Sequence, residues 1–348
     1  MAITPTPSRA GGGGGREPIT PTGVKNKQFA QTLTARLRLN EQYTKGASDL
    51  VYRLAGSLGE DSAVRHVAAF AVGFGLLMLS LSGASAAETV YCSAENQLPH
   101  GTYRHVDAGA GCVLEEQHIL VGSLVIDAPS DSSVVVGSHV LDDVAVFGGN
   151  VEIDGARVGG SIYAISAANV TITNSWVGGD IWNTCSCLGS SVANNDVDGS
   201  VLLDGAGSEL VVVTDNVIGG DLFVQNASGG FNIDRNRVGG HFRLAGSIAH
   251  QGSSTGASST VHANHVDGRF ELSRNRVNDI FDEGPDAGPA LVVSTNVVQG
   301  HAGVFQNGGD RGLEFLNNQI GGALVCSSNT DLVHSGNTAR TRFGECTD

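Results

Sequence analysis

The sequence predicts an all-β fold: a right-handed, single-stranded parallel β-helix (solenoid) of about ten coils. A disordered or weakly helical N-terminal segment and a signal peptide or membrane anchor precede it. Three observations predict this. Glycine is abundant, at 49 of 348 residues, and aromatics make up only 5%, which suits tight turns joined by short aliphatic strands. One short unit recurs about every twenty residues in the C-terminal part. An uncharged, mostly apolar run stands ahead of those repeats.

Residues 1–63 form the N-terminal extension. Met1–Pro21 is rich in Thr, Pro and Gly, with five consecutive glycines at 11–15, and reads as disordered. Gln28–Leu58 can hold one weak helix. Either this is a long cytoplasmic leader, or translation starts near Val64 and the upstream segment is a gene-model artefact.

Residues 64–87 read as the export signal. Arg65 precedes the 15-residue run Val67–Leu81, and Ala84-Ser85-Ala86-Ala87 follows. Basic flank, apolar run and Ala-x-Ala exit make a signal peptide cleaved after Ala86 or Ala87. The alternative is an uncleaved anchor, since residues 66–87 carry no charge over 22 positions and that length just spans a bilayer. Its several Gly and Ser residues weaken the anchor reading. Both readings put the rest of the chain outside the cytoplasm, because the basic flank stays inside.

Charge divides at the same place. Residues 1–66 hold nine Lys/Arg and five Asp/Glu, a net of +4, whereas residues 88–348 hold eleven Arg, no Lys and 30 Asp/Glu, a net of −19. So acidic a body excludes nucleic acid as a partner of its whole surface, and membrane contact is expected only through residues 66–87 if they are uncleaved. All six cysteines, Cys92, Cys112, Cys185, Cys187, Cys326 and Cys346, follow residue 88, as disulfides formed after export would. Residues 88–116 are expected to cap the solenoid, with Cys92–Cys112 as a staple. Cys326–Cys346 would close the other end, each pair being separated by one coil's length.

Residues 117–348 carry the repeats. The unit is a polar residue, usually Asn, then any residue, Val or Ile, a turn often made of Gly-Gly, and an aliphatic strand. Asn216-Val217-Ile218-Gly219-Gly220, Asn236-Arg237-Val238-Gly239-Gly240 and Asn318-Gln319-Ile320-Gly321-Gly322 are examples. The aliphatic member falls at Val158, Val177, Val197, Ile218, Val238, Val266, Val277, Val298 and Ile320, with gaps of 19, 20, 21, 20, 28, 11, 21 and 22. Taken together, the 28 and 11 read as two coils in a shifted register, with Gly246–Ser259 as the insertion. Val121–Val125 and Val134–Val140 read as weaker coils. Twenty residues are too few for a propeller blade or a helix–turn–helix repeat, and a leucine ladder is missing. A solenoid remains, with aliphatic side chains inside and turn asparagines stacking between coils. A β-sandwich is the rival fold, but it does not require one motif at a fixed spacing.

These Asn-x-Val/Ile-Gly-Gly units, with the tail Gly322-Ala323-Leu324-Val325-Cys326, Ser335-Gly336-Asn337-Thr338 and Phe343-Gly344-Glu345-Cys346, resemble exported actinobacterial parallel β-helix proteins of the pectin-lyase-like type. The resemblance covers roughly residues 145–348. It implies the fold and does not imply an activity, because solenoids host unrelated functions.

Residues with chemical potential are few. Hydrolases of that type would use paired carboxylates, and lyases would use Ca²⁺ held by carboxylates with an Arg or Lys base. Asp142-Asp143 is the adjacent Asp pair, and it reads as a replacement for the turn Asn. His262-x-x-His265 lacks the remaining ligands of a zinc site and reads as a solvated turn. Cys185-Ser186-Cys187 reads as two structural thiols. Neither a metal nor a cofactor is expected. The anomaly is arginine: six of the eleven lie between 235 and 276, and Arg-Asn-Arg occurs at 235–237 and again at 274–276. Alternation turns each Asn inward and the arginines outward. Arg235, Arg237, Arg274 and Arg276 are the candidate ligand-binding residues, expected as one patch for an anionic polysaccharide or cell-envelope glycan. The plainer reading pairs these arginines with Asp234, Asp267, Glu271 and Asp279. The functional expectation is therefore an exported or cell-surface, non-catalytic glycan-binding solenoid. The alternatives are a polysaccharide lyase or hydrolase and a purely structural surface protein.

Overall fold

Aliphatic and polar residues alternate along nearly every strand, so one side of the chain is dry and the other meets water. In Phe231–Asp234, Phe231 and Ile233 are buried while Asn232 and Asp234 are partly exposed. The computed structural model describes residues 89–348 except 130–131, 185–187, 206–209, 251–258, 279–289, 310–311 and 348. The proposed leader, the anchor and Cys185-Ser186-Cys187 lie outside the described residues, as does Asp279. Among the described residues there is no helix, and none is long and apolar enough to cross a membrane.

The chain is an all-β parallel solenoid. One coil shows the plan. A flank strand, Phe231–Asp234, ends at Arg235, whose φ of 53° makes a corner. The buried Asn236 follows, then a short strand, Arg237–Val238. A Gly239-Gly240 bend leads into a platform strand, Phe242–Ala245, and Gly246, with φ of 60°, makes a second corner. Each strand pairs in parallel with its equivalents one coil before and after: Phe231–Asp234 lies between Val211–Thr214 and Ser259–His262. The flank strands make one sheet of eleven strands, hence about eleven coils. Pairing already begins at Thr89–Cys92, which lies parallel to His105–Ala108, so coils extend into the segment expected as a cap.

The core is a column of aliphatic side chains with phenylalanine at its centre. Phe242 and Phe270 stack with centroids 4.7 Å apart, and Phe315 follows at 6.4 Å. Two columns of buried amides seal the corners. In the first, Asn195, Asn216, Asn236, Asn264, Asn296, Asn318 and Asn337 bond to one another from coil to coil. The second runs Ser247, Asn275, Asn307 and Asn329, and Glu345 accepts from Asn329 at its end. Both expected disulfides are present, Cys92–Cys112 and Cys326–Cys346.

Two expectations need correction. Val277 does not belong to the column of repeat valines. Val238 pairs with Val266 and Val266 with Val298, so the intervening coils are 28 and 32 residues long. Val277 sits past the second corner, in a three-stranded sheet with Ala249 and Gly309. Asp142-Asp143 does not replace the turn Asn. Asp142 stands in the place of the second glycine of the bend, and Asp143 in the place of Ser161 just after it. His262 and His265 do not converge, since His262 meets Ser294 and His265 meets Asp267.

Candidate functional site: an aromatic column beside a polar ladder

The platform strands bury their first and third residues and turn the second and fourth outward. Because the pairing is in register, second residues of successive coils stack into one outward column. It reads Val125, the buried Ala145, Tyr163, Trp182, Leu202 and Phe223. Phe147 and Ile165 flank it at the fourth position of their strands. Strand neighbours stand roughly 4.8 Å apart, so Tyr163, Trp182, Leu202 and Phe223 make a continuous, partly exposed apolar surface four coils long.

A polar ladder runs along one edge of this column, two residues earlier in each coil. Asp143 Oδ1 accepts from the Ser161 amide at 2.7 Å, and Ser161 Oγ accepts from the Asp180 amide at 3.0 Å. Asp180 Oδ1 accepts from Ser200, Ser200 Oγ from Asp221, and Asp221 Oδ1 from His241. His241 Nδ1 then accepts from the Arg269 amide at 2.8 Å. Arginine has no acceptor, and the ladder resumes at His301, whose Nδ1 accepts from Ala323. Acid and hydroxyl thus alternate over the aromatic coils.

The two rows interact. Burial pushes the Tyr163 hydroxyl above its ordinary pKa; a hydrogen bond with Ser161 works the other way, and the charges of Asp143 and Asp180 add to the rise. Burial likewise raises the Asp143 carboxyl, the Ser161 amide opposes this, and neighbouring Asp142 adds to the rise. This edge is therefore an acceptor-rich, acidic margin along an apolar strip. Past Phe223 the column changes character to Arg243 and Glu271. Arg243 Nε lies 3.4 Å from Glu271, and Arg269 reaches the same carboxylate at 3.1 Å.

The arginine triplets stand elsewhere. All four side chains project outward and both asparagines inward, as alternation requires. Yet Arg235-Asn236-Arg237 is at the first corner, and its neighbour one coil on is Ala263-Asn264-His265. Arg274-Asn275-Arg276 is at the second corner, beside Ser247. The structure therefore makes two pairs on separate corners and not one column. Arg235 binds both oxygens of Asp215 at 2.7 and 2.8 Å and also pairs with Asp234. Asp215 is held below the ordinary carboxylate range by the hydrogen bond from Arg235, with that residue's charge a smaller contribution.

Among the described residues, no three or more His, Cys, Asp or Glu are grouped to hold a metal ion. No protein-family description, curated protein or solved structure matches the chain. The aromatic column was readable in principle. Aligning the repeats on their Gly-Gly bends puts Tyr163, Trp182, Leu202 and Phe223 at one position, three residues after the second glycine. The clustered arginines, six of the eleven within 235–276, lie away from it at the corners and on later coils.

Proposed function

We propose that this chain is an exported, surface-associated solenoid that binds polysaccharide along the Tyr163–Trp182–Leu202–Phe223 column, without chemical turnover. The observation that carries this reading is the pairing of an in-register aromatic column with an acceptor ladder. A sugar ring has a face of C–H groups and a rim of hydroxyls. Aromatic faces cover the former, and carboxylates and serine hydroxyls meet the latter. The disulfides fit an oxidising, extracellular setting, and the resemblance to exported actinobacterial β-helix proteins agrees with it. An anionic glycan, the partner the arginines suggested, fits this margin poorly because Asp143, Asp180 and Asp221 line it.

Pull-down on insoluble neutral polysaccharides tests the reading. The parent chain is expected to bind, and Trp182→Ala with Tyr163→Ala to abolish binding while the Tm changes little, since both side chains face outward. A parent that binds none, or a variant that binds as well as the parent, would overturn it.

One observation favours a second reading, hydrolysis. Asp143 has a raised pKa, and Asp180 lies two coils away, roughly 9.6 Å by strand spacing, just beyond the roughly 6.5–9.5 Å used by inverting hydrolases. Against this, each carboxylate already caps a backbone amide. Release of reducing ends that Asp143→Asn eliminates would establish hydrolysis over simple binding.

A further inference from the structure

We infer that the ligand is an extended, neutral polysaccharide whose rim repeats every second sugar, lying along the solenoid axis with alternate units read by Asp180 and Asp221. This rests on the glycan reading above and adds the class of glycan. The argument starts from the coils one at a time. The coil of Asp180 carries Trp182, and the coil of Asp221 carries Phe223. Each therefore offers a carboxylate and an aromatic face together. The coil between them offers Ser200 and Leu202, and the coil before offers Ser161 with Tyr163. Each serine hydroxyl accepts from a backbone amide. One lone pair and the O–H of each serine are left over, but Asp180 and Asp221 carry charge, which makes them the stronger acceptors for a sugar hydroxyl.

The equivalent pairs thus recur every two coils, roughly 9.6 Å. In an extended β-linked chain successive sugars are flipped by about half a turn, so one rim recurs at every second unit. A coiled α-linked chain carries its rim away from a straight ladder. The strip is also finite. From Asp143 to Asp221 is four coil steps, roughly 19 Å, or two such repeats. Beyond it, Glu271 is clasped by Arg243 and Arg269 and the apolar column ends. About four sugars fill the face.

Titration calorimetry of the full chain, with β-1,4-linked cello- and chito-oligosaccharides of two to six units and α-1,4-linked malto-oligosaccharides, tests this. Affinity is expected to rise at least tenfold from the β-linked disaccharide to the tetrasaccharide and then to level off, with malto-oligosaccharides weaker by about tenfold or more. Asp180→Asn and, separately, Asp221→Asn keep an oxygen for the backbone amide and should each weaken tetrasaccharide binding about tenfold, a typical effect of losing a charged hydrogen bond, with an unchanged Tm. Equal affinity for both linkages, or wild-type affinity in both Asn variants, would overturn the inference and leave glycan binding intact. No binding of any glycan by the parent would remove both readings.

Discussion

Asn264 makes four side-chain hydrogen bonds, and none stays within its own coil. Its Nδ2 donates to the Ile233 carbonyl and to Asn296 Oδ1, and its Oδ1 accepts from the backbone amide and Nδ2 of Asn236. All four donor and acceptor positions of a buried amide are thereby used. Removing it orphans two buried donors on the preceding coil. A buried group left unsatisfied costs about 1–3 kcal/mol, so Asn264→Ala is expected to lower stability by about 3–5 kcal/mol. Urea unfolding checks this, and a loss under 1 kcal/mol would mean that water replaces the amide. The inward Asn and the stacked column were legible at this scale, because strand alternation fixes the direction of a side chain once the turn is placed. The restraint on Arg235 was legible only in part. Asp234 is adjacent in sequence, but Asp215 becomes a partner only through the coil repeat.

At the scale of the element, one motif serves two corners. Asn236-Arg237-Val238 and Asn275-Arg276-Val277 read alike, and both follow a residue in the left-handed region, Arg235 with φ of 53° and Arg274 with φ of 55°. Each corner needs an inward amide and an inward aliphatic residue. Only the Gly-Gly or Asp-Gly bend that follows marks the first corner, and Asn278-Asp279 at the second lacks it. This is why spacing alone places Val277 in the wrong column. The bend itself has a physical reason. A Cβ on Gly240 would meet Asp221 Oδ1 and lie 2.8 Å from the Gly220 carbonyl oxygen, and one on Gly239 would lie 2.5 Å from the Gly219 carbonyl oxygen, so the coils meet at both bend positions. Where another residue stands at the bend, as Asp198, Asp267 and Gln299 do at the first position and Asp142 at the second, the local backbone has to give. Gly240→Ala and Gly239→Ala should therefore each destabilise by about 1–3 kcal/mol, the usual cost of overpacking. Thermal unfolding of the two variants checks this, and an unchanged Tm in either would show that its contact relaxes freely.

At the scale of the whole molecule, the described coils touch only their neighbours, so stability is a chain of interfaces and the ends are its weakest points. Each end is closed covalently. At the C-terminal end, Cys346 bridges to Cys326, and Glu345 accepts from the Asn329 side chain at 2.9 Å, finishing the second amide column. The last strand, Thr338–Gly344, carries Arg340 and Arg342 along an open edge, the kind of charge that discourages edge-to-edge pairing. The staples were legible because a separation of 20 residues equals one coil and sets the two cysteines side by side. Replacing Cys326 and Cys346 together by Ser removes a 20-residue closed loop, worth about 3 kcal/mol in the chain-entropy estimate. In a chain of neighbours that loss stays local. Hydrogen exchange is expected to speed up for amides of Leu332–Ser335 and Thr338–Gly344, while central strands such as Ile181–Thr184 and Leu222–Gln225 keep their protection. Equal acceleration along all eleven coils would show instead that the solenoid opens as one cooperative body, and that the C-terminal staple sets the stability of every coil.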